Sequence, residues 1–304
     1  MESAESSADA PLATDITCAR PTVFIRPATR VAHTRRRFRL HFLGANLACN
    51  MLSASLCDVA TAEGNVRRIA WTREVETLLG RSFSGSETSE PEWGVHWVMG
   101  PRWASELDDP ARVALSIFIH GLALAAKVPE STMLGVRGSG NEPAAFALVQ
   151  QLKRAPAATP AMEVLRVMCS FAARALCGRL PPGWNDMALF KRSDAVTEIM
   201  GALHAKHANR PHLYLAMVAT DPMLQGQGHG GRLIRAVSRV ADAAGLPIYL
   251  ECGGERLKGL YAHFGFELVG EAPLEMKGDV AGWPTQPIVY YAMVRPPQST
   301  AAAK

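Results

Sequence analysis

Between Asp221-Pro222 and a long amphipathic run, the chain reads Gln225-Gly226-Gln227-Gly228-His229-Gly230-Gly231-Arg232. A glycine-rich loop that opens a helix presents several backbone N–H groups at the positive end of the helix dipole, and such a place binds phosphate. Glycine removes side chains where a ligand must come close, whereas within an ordinary helix each one costs about 1 kcal/mol relative to alanine. Arg232, just inside the helix, either reaches a phosphate or sits solvated on the helix surface. An acid and a tyrosine follow downstream: Glu251 ends a strand-like run, and Tyr261 opens Tyr261-Ala262-His263-Phe264-Gly265-Phe266.

Two kinds of phosphate loop compete for these glycines. Gly226-x-Gly228-x-x-Gly231 has the spacing of a dinucleotide fingerprint, and Glu251 lies twenty residues on, where the ribose-binding acid of an NAD(P)-dependent oxidoreductase belongs. In that fingerprint the first glycine follows its strand directly. Here Asp221 to Gln225 intervene, and too little chain follows Glu251 to complete a doubly wound sheet.

The same residues resemble the acetyl-CoA loop of the GNAT N-acetyltransferases, whose pattern is Gln or Arg, two residues, Gly, one residue, Gly or Ala. Val218-Ala219-Thr220-Asp221-Pro222 supplies the turn that precedes this loop in the family, and Tyr261 to Phe266 supplies its later Y-x-x-x-G-F motif. These motifs cover Leu213 to Val269. The resemblance implies a GNAT fold of the α+β (α/β) kind: a central mixed, mostly antiparallel twisted sheet flanked by helices, with extra helices between the third and fourth strands. It implies acetyl-CoA as cosubstrate and no metal. Pantetheine would lie between the fourth and fifth strands on the backbone of Met217, Val218 and Ala219. Pyrophosphate would sit on the N–H groups of Gln225, Gly226, Gln227, Gly228, His229, Gly230 and Gly231, with Arg232 near a nucleotide phosphate.

In the reaction so implied, a neutral amine attacks the thioester directly, so the site needs a base for the ammonium and an acid for the departing thiolate. Tyr261 matches the family's thiolate acid by position; a buried structural tyrosine is the alternative reading. Glu251 is the favoured base, acting through a water. His212 and Asp221 also stand as candidates, although the first simply starts a strand and the second suits a turn. Cys252 reads as a small core residue, since direct transfer needs no nucleophile. One departure is that Gly253-Gly254-Glu255-Arg256-Leu257 lacks the asparagine that relatives place there to contact the cofactor. A weakened cofactor affinity, or a degenerate acyl-CoA-binding regulatory module, is therefore the alternative to an enzyme.

These residues need a scaffold. The end of the chain reads as strand His212 to Ala219, the glycine loop, helix Gly230 to Ala244, strand Pro247 to Glu251, a short helix Arg256 to His263, strand Phe264 to Val269 and a last strand Ile288 to Val294. Upstream, Val66 to Trp71 alternates as a short strand, and Thr72 caps a helix to about Arg81 with Val75, Leu78 and Leu79 on one face. A loop with Pro91, Trp93 and Trp97 comes next, then a long helix between Ala104 and Lys127, broken or capped near Asp109-Pro110. Thr132 to Arg137 and Ala144 to Gln151 flank turn residues and form an antiparallel hairpin. Residues 158–178 and 193–207 read as helices, from Met162, Leu165, Met168 and Phe171 and from Val196, Ile199, Met200 and Leu203 at helical spacing.

The whole chain of 304 residues is 48% apolar and 20% charged, an ordinary globular composition. Its net charge of +4 comes from a local excess: Arg20, Arg26, Arg30, Arg35, Arg36, Arg37 and Arg39 share one acid-free stretch, so no nucleic-acid partner is expected. Six cysteines without CxxC pairs suggest neither zinc nor disulfides, hence a reducing, cytoplasmic setting. The apolar stretch Val113 to Ala126 is shorter than the roughly 20 residues of a membrane span, and is read as a buried amphipathic helix, with no membrane partner. Residues 1–60 read as a flexible segment, alternatively an organellar transit peptide; 61–297 as the domain, 298–304 as a flexible tail. The acceptor is a small-molecule or peptide amine. Oligomeric state is not legible.

Overall fold

Strand alternation and turn chemistry build the first half of the sheet, and helix amphipathicity closes the second half over it. The computed structural model describes residues 65–86, 90–156, 160–274 and 287–298; the expected flexible segment 1–60 and residues 299–304 lie outside these. Seven strands, β1 (Val66–Arg68), β2 (Thr132–Arg137), β3 (Pro143–Leu152), β4 (His212–Thr220), β5 (Ile248–Gly253), β6 (Glu267–Leu274) and β7 (Ile288–Arg295), form one sheet in the order β1-β2-β3-β4-β5-β7-β6. Only β4 and β5 run parallel; the other neighbours are antiparallel. The expected mixed, mostly antiparallel sheet flanked by helices is therefore observed, and its single parallel pair is not a doubly wound nucleotide fold.

The helices are α1 (Arg73–Ser84), α2 (Trp93–Met99), α3 (Pro110–Lys127), α4 (Ala161–Leu176), α5 (Met187–His207), α6 (His229–Ala244) and α7 (Glu255–His263). α4 and α5 are the extra pair between β3 and β4. Starts follow caps: Thr72 Oγ1 accepts from Val75 N–H, and Asp109 accepts from Ala111 N–H at 2.6 Å with Pro110 at the first helical position. On one face of the sheet, α6 lays Leu233, Ile234, Val237 and Val240 onto Leu134, Val136, Leu213 and Leu215. On the other, α1 packs Val75 and Leu79 onto Met133, Phe146 and Leu148, while α5 and α2 cover Tyr249, Tyr290 and Ala292. Each fully buried Leu or Val adds about 1.5–3 kcal/mol.

α3, together with the short turn Val128–Glu130, is long and apolar enough to cross a membrane by length and composition. In this fold it is a core helix, in keeping with the sequence reading. It buries Leu115, Phe118 and Leu124, and the buried Arg112 donates to Trp103 O at 2.8 Å and Ser84 O at 2.7 Å.

Four local expectations are corrected. The segment read as a loop around Trp93 and Trp97 contains helix α2, capped by Glu92, which accepts from Val95 N–H at 2.7 Å; seven residues are too few to display a period. α5 starts at Met187 rather than 193 because Asp186 accepts from Ala188 N–H. β6 starts at Glu267 because Phe264 N–H still bonds to Tyr261 O and Gly265, with φ of 82°, turns the chain. The fourth correction concerns α4, whose Met162, Leu165 and Met168 point outward and only whose Phe171 packs inward.

Candidate functional site

β4 and β5 start side by side and then part. Their ladder consists of Leu213↔Ile248 and Tyr214↔Tyr249, although β4 continues to Thr220 and β5 to Gly253. Each strand stays tied on its far side: β4 to β3 as far as Thr220↔Ala145, and β5 to β7 as far as Gly253↔Tyr290. The cause lies in β4. Leu148 faces Met217 and Val149 faces Leu215, so Ala216 is an extra residue, a bulge that bends the strand. Beyond it, Met217, Val218 and Ala219 keep their β3 partners and, among the described residues, have no strand paired on the β5 side.

The glycine loop stands at the mouth of this V. Asp221 serves the turn: its side chain accepts from Met223 N–H at 2.9 Å and faces Arg81 at 3.6 Å. Gly228, with φ of 78°, caps α6 without a side chain, and a Cβ there would meet nothing within 4 Å. The first N–H groups of α6 thus have no side-chain cap, over open space that an anion can fill. Gly230 and Gly231 are small for another reason, since a Cβ would lie 2.9 Å from Thr220 Oγ1 or 3.1 Å from Phe264. Arg232 rests against His229, Nη1 to Nδ1 3.4 Å, and His229 Nε2 lies 3.3 Å from Gln227 Oε1. The loop therefore fits a pyrophosphate.

Tyr261 projects from α7 into the core on the α6 side of the sheet, edge-on to Phe266 at 5.6 Å. Burial raises its hydroxyl pKa above the ordinary value, with Cys252 beside it, so the proton stays on at neutral pH. Burial also pushes the Cys252 thiol up to about 12. That group is no nucleophile at neutral pH.

Glu251 lies between Leu250 and Cys252 but faces the opposite side of the sheet, as strand alternation requires. Its side chain is 1% exposed, and neither carboxylate oxygen has a hydrogen bond of good geometry. Burial lifts its carboxyl to about 7 against the opposing pull of the Tyr214 and Tyr249 hydroxyls. Next to it stands His204 of α5, Nδ1 to Oε1 3.7 Å, stacked on Tyr249 at 4.6 Å. His204 Nε2 lies 3.0 Å from His212 Nε2, and His212 Nδ1 lies 2.7 Å from Arg210 O. A carbonyl only accepts, so His212 carries its proton on Nδ1, His204 carries its own on Nε2, and the bare Nδ1 of His204 looks at Glu251. Burial lowers His204 to about 4, so it is neutral and a proton on Glu251 suits it.

Glu251 and Tyr261 thus flank the V from opposite faces, and His212, a separate candidate in the sequence, joins Glu251 through His204. Sequence reasoning missed His204, Tyr214 and Tyr249, which come from three elements with no shared motif. It also missed Glu92. Its Oε1 lies against the end of β5, where a Cβ on Gly253 would be 2.7 Å away, and burial raises its pKa. No group of three or more metal-ligating side chains exists among the described residues.

A mixed sheet parted between two parallel strands, with a glycine-capped helix at the parting, is the GNAT fold that the sequence motifs implied. Residues 179–266 match the Acetyltransferase (GNAT) family. An uncharacterized N-acetyltransferase of Schizosaccharomyces pombe is 40% identical over 53 residues, which are 17% of this chain and 22% of that protein's length. Among solved structures, a histone acetyltransferase HPA2-related acetyltransferase of Corynebacterium glutamicum is 20% identical with a TM-score of 0.44, covering 78% of this chain and 98% of its own. Arylalkylamine N-acetyltransferase 2 of Aedes aegypti is 13% identical with a TM-score of 0.46, covering 77% and 100%.

Proposed function

We propose that this chain is an acetyl-CoA-dependent N-acetyltransferase in which a primary amine attacks the thioester directly. The observation that carries this reading is the V between β4 and β5 with the uncapped N-terminus of α6 at its mouth. Met217, Val218 and Ala219 offer backbone groups to the pantetheine, and Gln225 to Gly231 with Arg232 hold the phosphates. The cosubstrate supplies the activated acyl group. Glu251, whose pKa lies near neutral, takes the proton of the incoming ammonium, directly or through water. His204, its bare Nδ1 facing the carboxyl and its ring fixed through His212, positions Glu251 and accepts a hydrogen bond from its protonated form. Tyr261 keeps its proton and gives it to the sulfur that leaves.

The missing asparagine before α7 favours a binding-only module, because Gly254 leaves that helix without a side-chain cap. A buried carboxyl tuned near 7 in the V favours turnover. Titration calorimetry with CoA, together with thiol release over a panel of small amines and peptide N-termini, separates the two. Gly228→Glu should abolish CoA binding while Gly228→Ala, with the same backbone strain, retains most of it. Equal CoA affinity of a folded Gly228→Glu protein would remove the loop from the site.

A further inference from the structure

α4 is built with its polar side inward. Glu163 meets Lys127 at 2.9 Å, Arg166 meets Glu130 at 3.0 Å and Arg174 meets Glu76 at 2.6 Å. Every residue that α4 leaves exposed is Ala, Val, Leu, Met or Cys. Met162, Val164, Leu165 and Met168 are 51 to 60% exposed, and Leu176 is 89% exposed. A surface helix ordinarily shows the reverse. Ala161, Leu165, Met168 and Ala172 also recur in steps of four, three and four, the spacing of an interhelical seam.

We propose that this face is the contact surface of a homodimer, in which α4 of two copies packs antiparallel about a two-fold axis between Met168 and Cys169. The sequence is self-complementary about that point, which is the midpoint of the helix. Antiparallel pairing there sets Leu165 opposite Ala172 of the second copy and Leu176 opposite Ala161, with Met168 and Cys169 on either side of the axis. Each larger side chain meets a smaller one, the condition for interdigitation, and a two-fold axis repeats every pair. The face carries no charge, so it meets itself without like-charge repulsion. The guanidinium groups of α4 are turned inward and paired, so the basic fringe of a helix that lies on a membrane is missing.

A helix of this length is about 24 Å long. It presents fewer residues than the roughly 20–30 per side of a standard interface. The dimer is therefore weak and reversible, and it rests on the packing of α4 rather than on the acetyltransferase reading.

Analytical ultracentrifugation of the full chain, from about 1 µM to several hundred micromolar, should show a mass rising from 32.8 kDa toward twice that value. The double variant Leu165→Glu/Met168→Glu, at two exposed positions, should raise the dimer dissociation constant by roughly 100-fold or more with melting temperature and CoA binding unchanged. A short bismaleimide should join two copies through Cys169, with the product lost in Cys169→Ser and kept in Cys177→Ser. A chain monomeric throughout, or a dimer that survives the double variant, overturns the proposal. So does a cross-link from Cys169 to Cys18, Cys49 or Cys57 of the same chain, or binding to lipid vesicles by a monomer that the double variant loses.

Discussion

The sharpest test at the residue scale is Glu251. Its folded pKa of about 7 lies above the ordinary value of 4.5, so the folded state holds a proton that the unfolded chain has released. Stability from this group therefore falls as pH rises from about 4.5 to 7, by up to about 3 kcal/mol. His204 works in the other sense: depressed to about 4 from 6.5, it adds stability as pH rises from 4 to 6.5. Glu251→Gln should melt at or above the wild-type temperature at pH 8, with the difference shrinking at pH 5, yet lose about 10²–10⁴-fold in turnover. A variant that melts lower and turns over normally would make Glu251 a structural acid. In the wild type kcat/KM should rise with pH through a midpoint near 7, because the base acts when deprotonated. Tyr261→Phe should keep CoA affinity and lose roughly 10- to 1,000-fold in turnover; full activity with a lowered melting temperature would leave it a core hydroxyl.

Among the elements, Arg112 of α3 ties three pieces together, reaching Ser84 O at the end of α1, Trp103 O, and His96 Nδ1 of α2 at 3.2 Å. Arg112→Leu would orphan two buried carbonyls and should destabilise by about 2–4 kcal/mol, read as a lower urea midpoint; an unchanged midpoint would refute the tie. The legibility of the elements follows from their physics. The hairpin β2–β3 was readable because alternation and turn residues fall in one short window, and β4, the loop and α6 because a motif spans their junctions. The period of α4 was readable, but a period names a face without saying which side is buried. Glu163, Arg166 and Arg174 settle that through partners on other elements. For the same reason Tyr261 and the glycines could be named from sequence, while the cage of Glu251 required the tertiary arrangement.

Viewed as a whole molecule, the fold couples ligand to stability. On the proposed function, CoA at a hundred times its Kd should add about 2.7 kcal/mol and raise the melting temperature by roughly 5–10 °C, and Gly228→Glu should show no such rise. The parting of β4 from β5 has a second consequence, for solubility. Beyond Tyr214 and Tyr249 the two strands present backbone groups that no neighbouring strand takes up, and such a rim is where a foreign extended segment can add itself. The bulge at Ala216 twists the β4 rim and makes it a poor template, but its protection is partial; the pantetheine of a bound cosubstrate would occupy the rest. Chains held free of CoA should therefore scatter more light over hours at 37 °C than chains kept with it, and the nucleotide portion alone, which lacks the pantetheine, should not protect them.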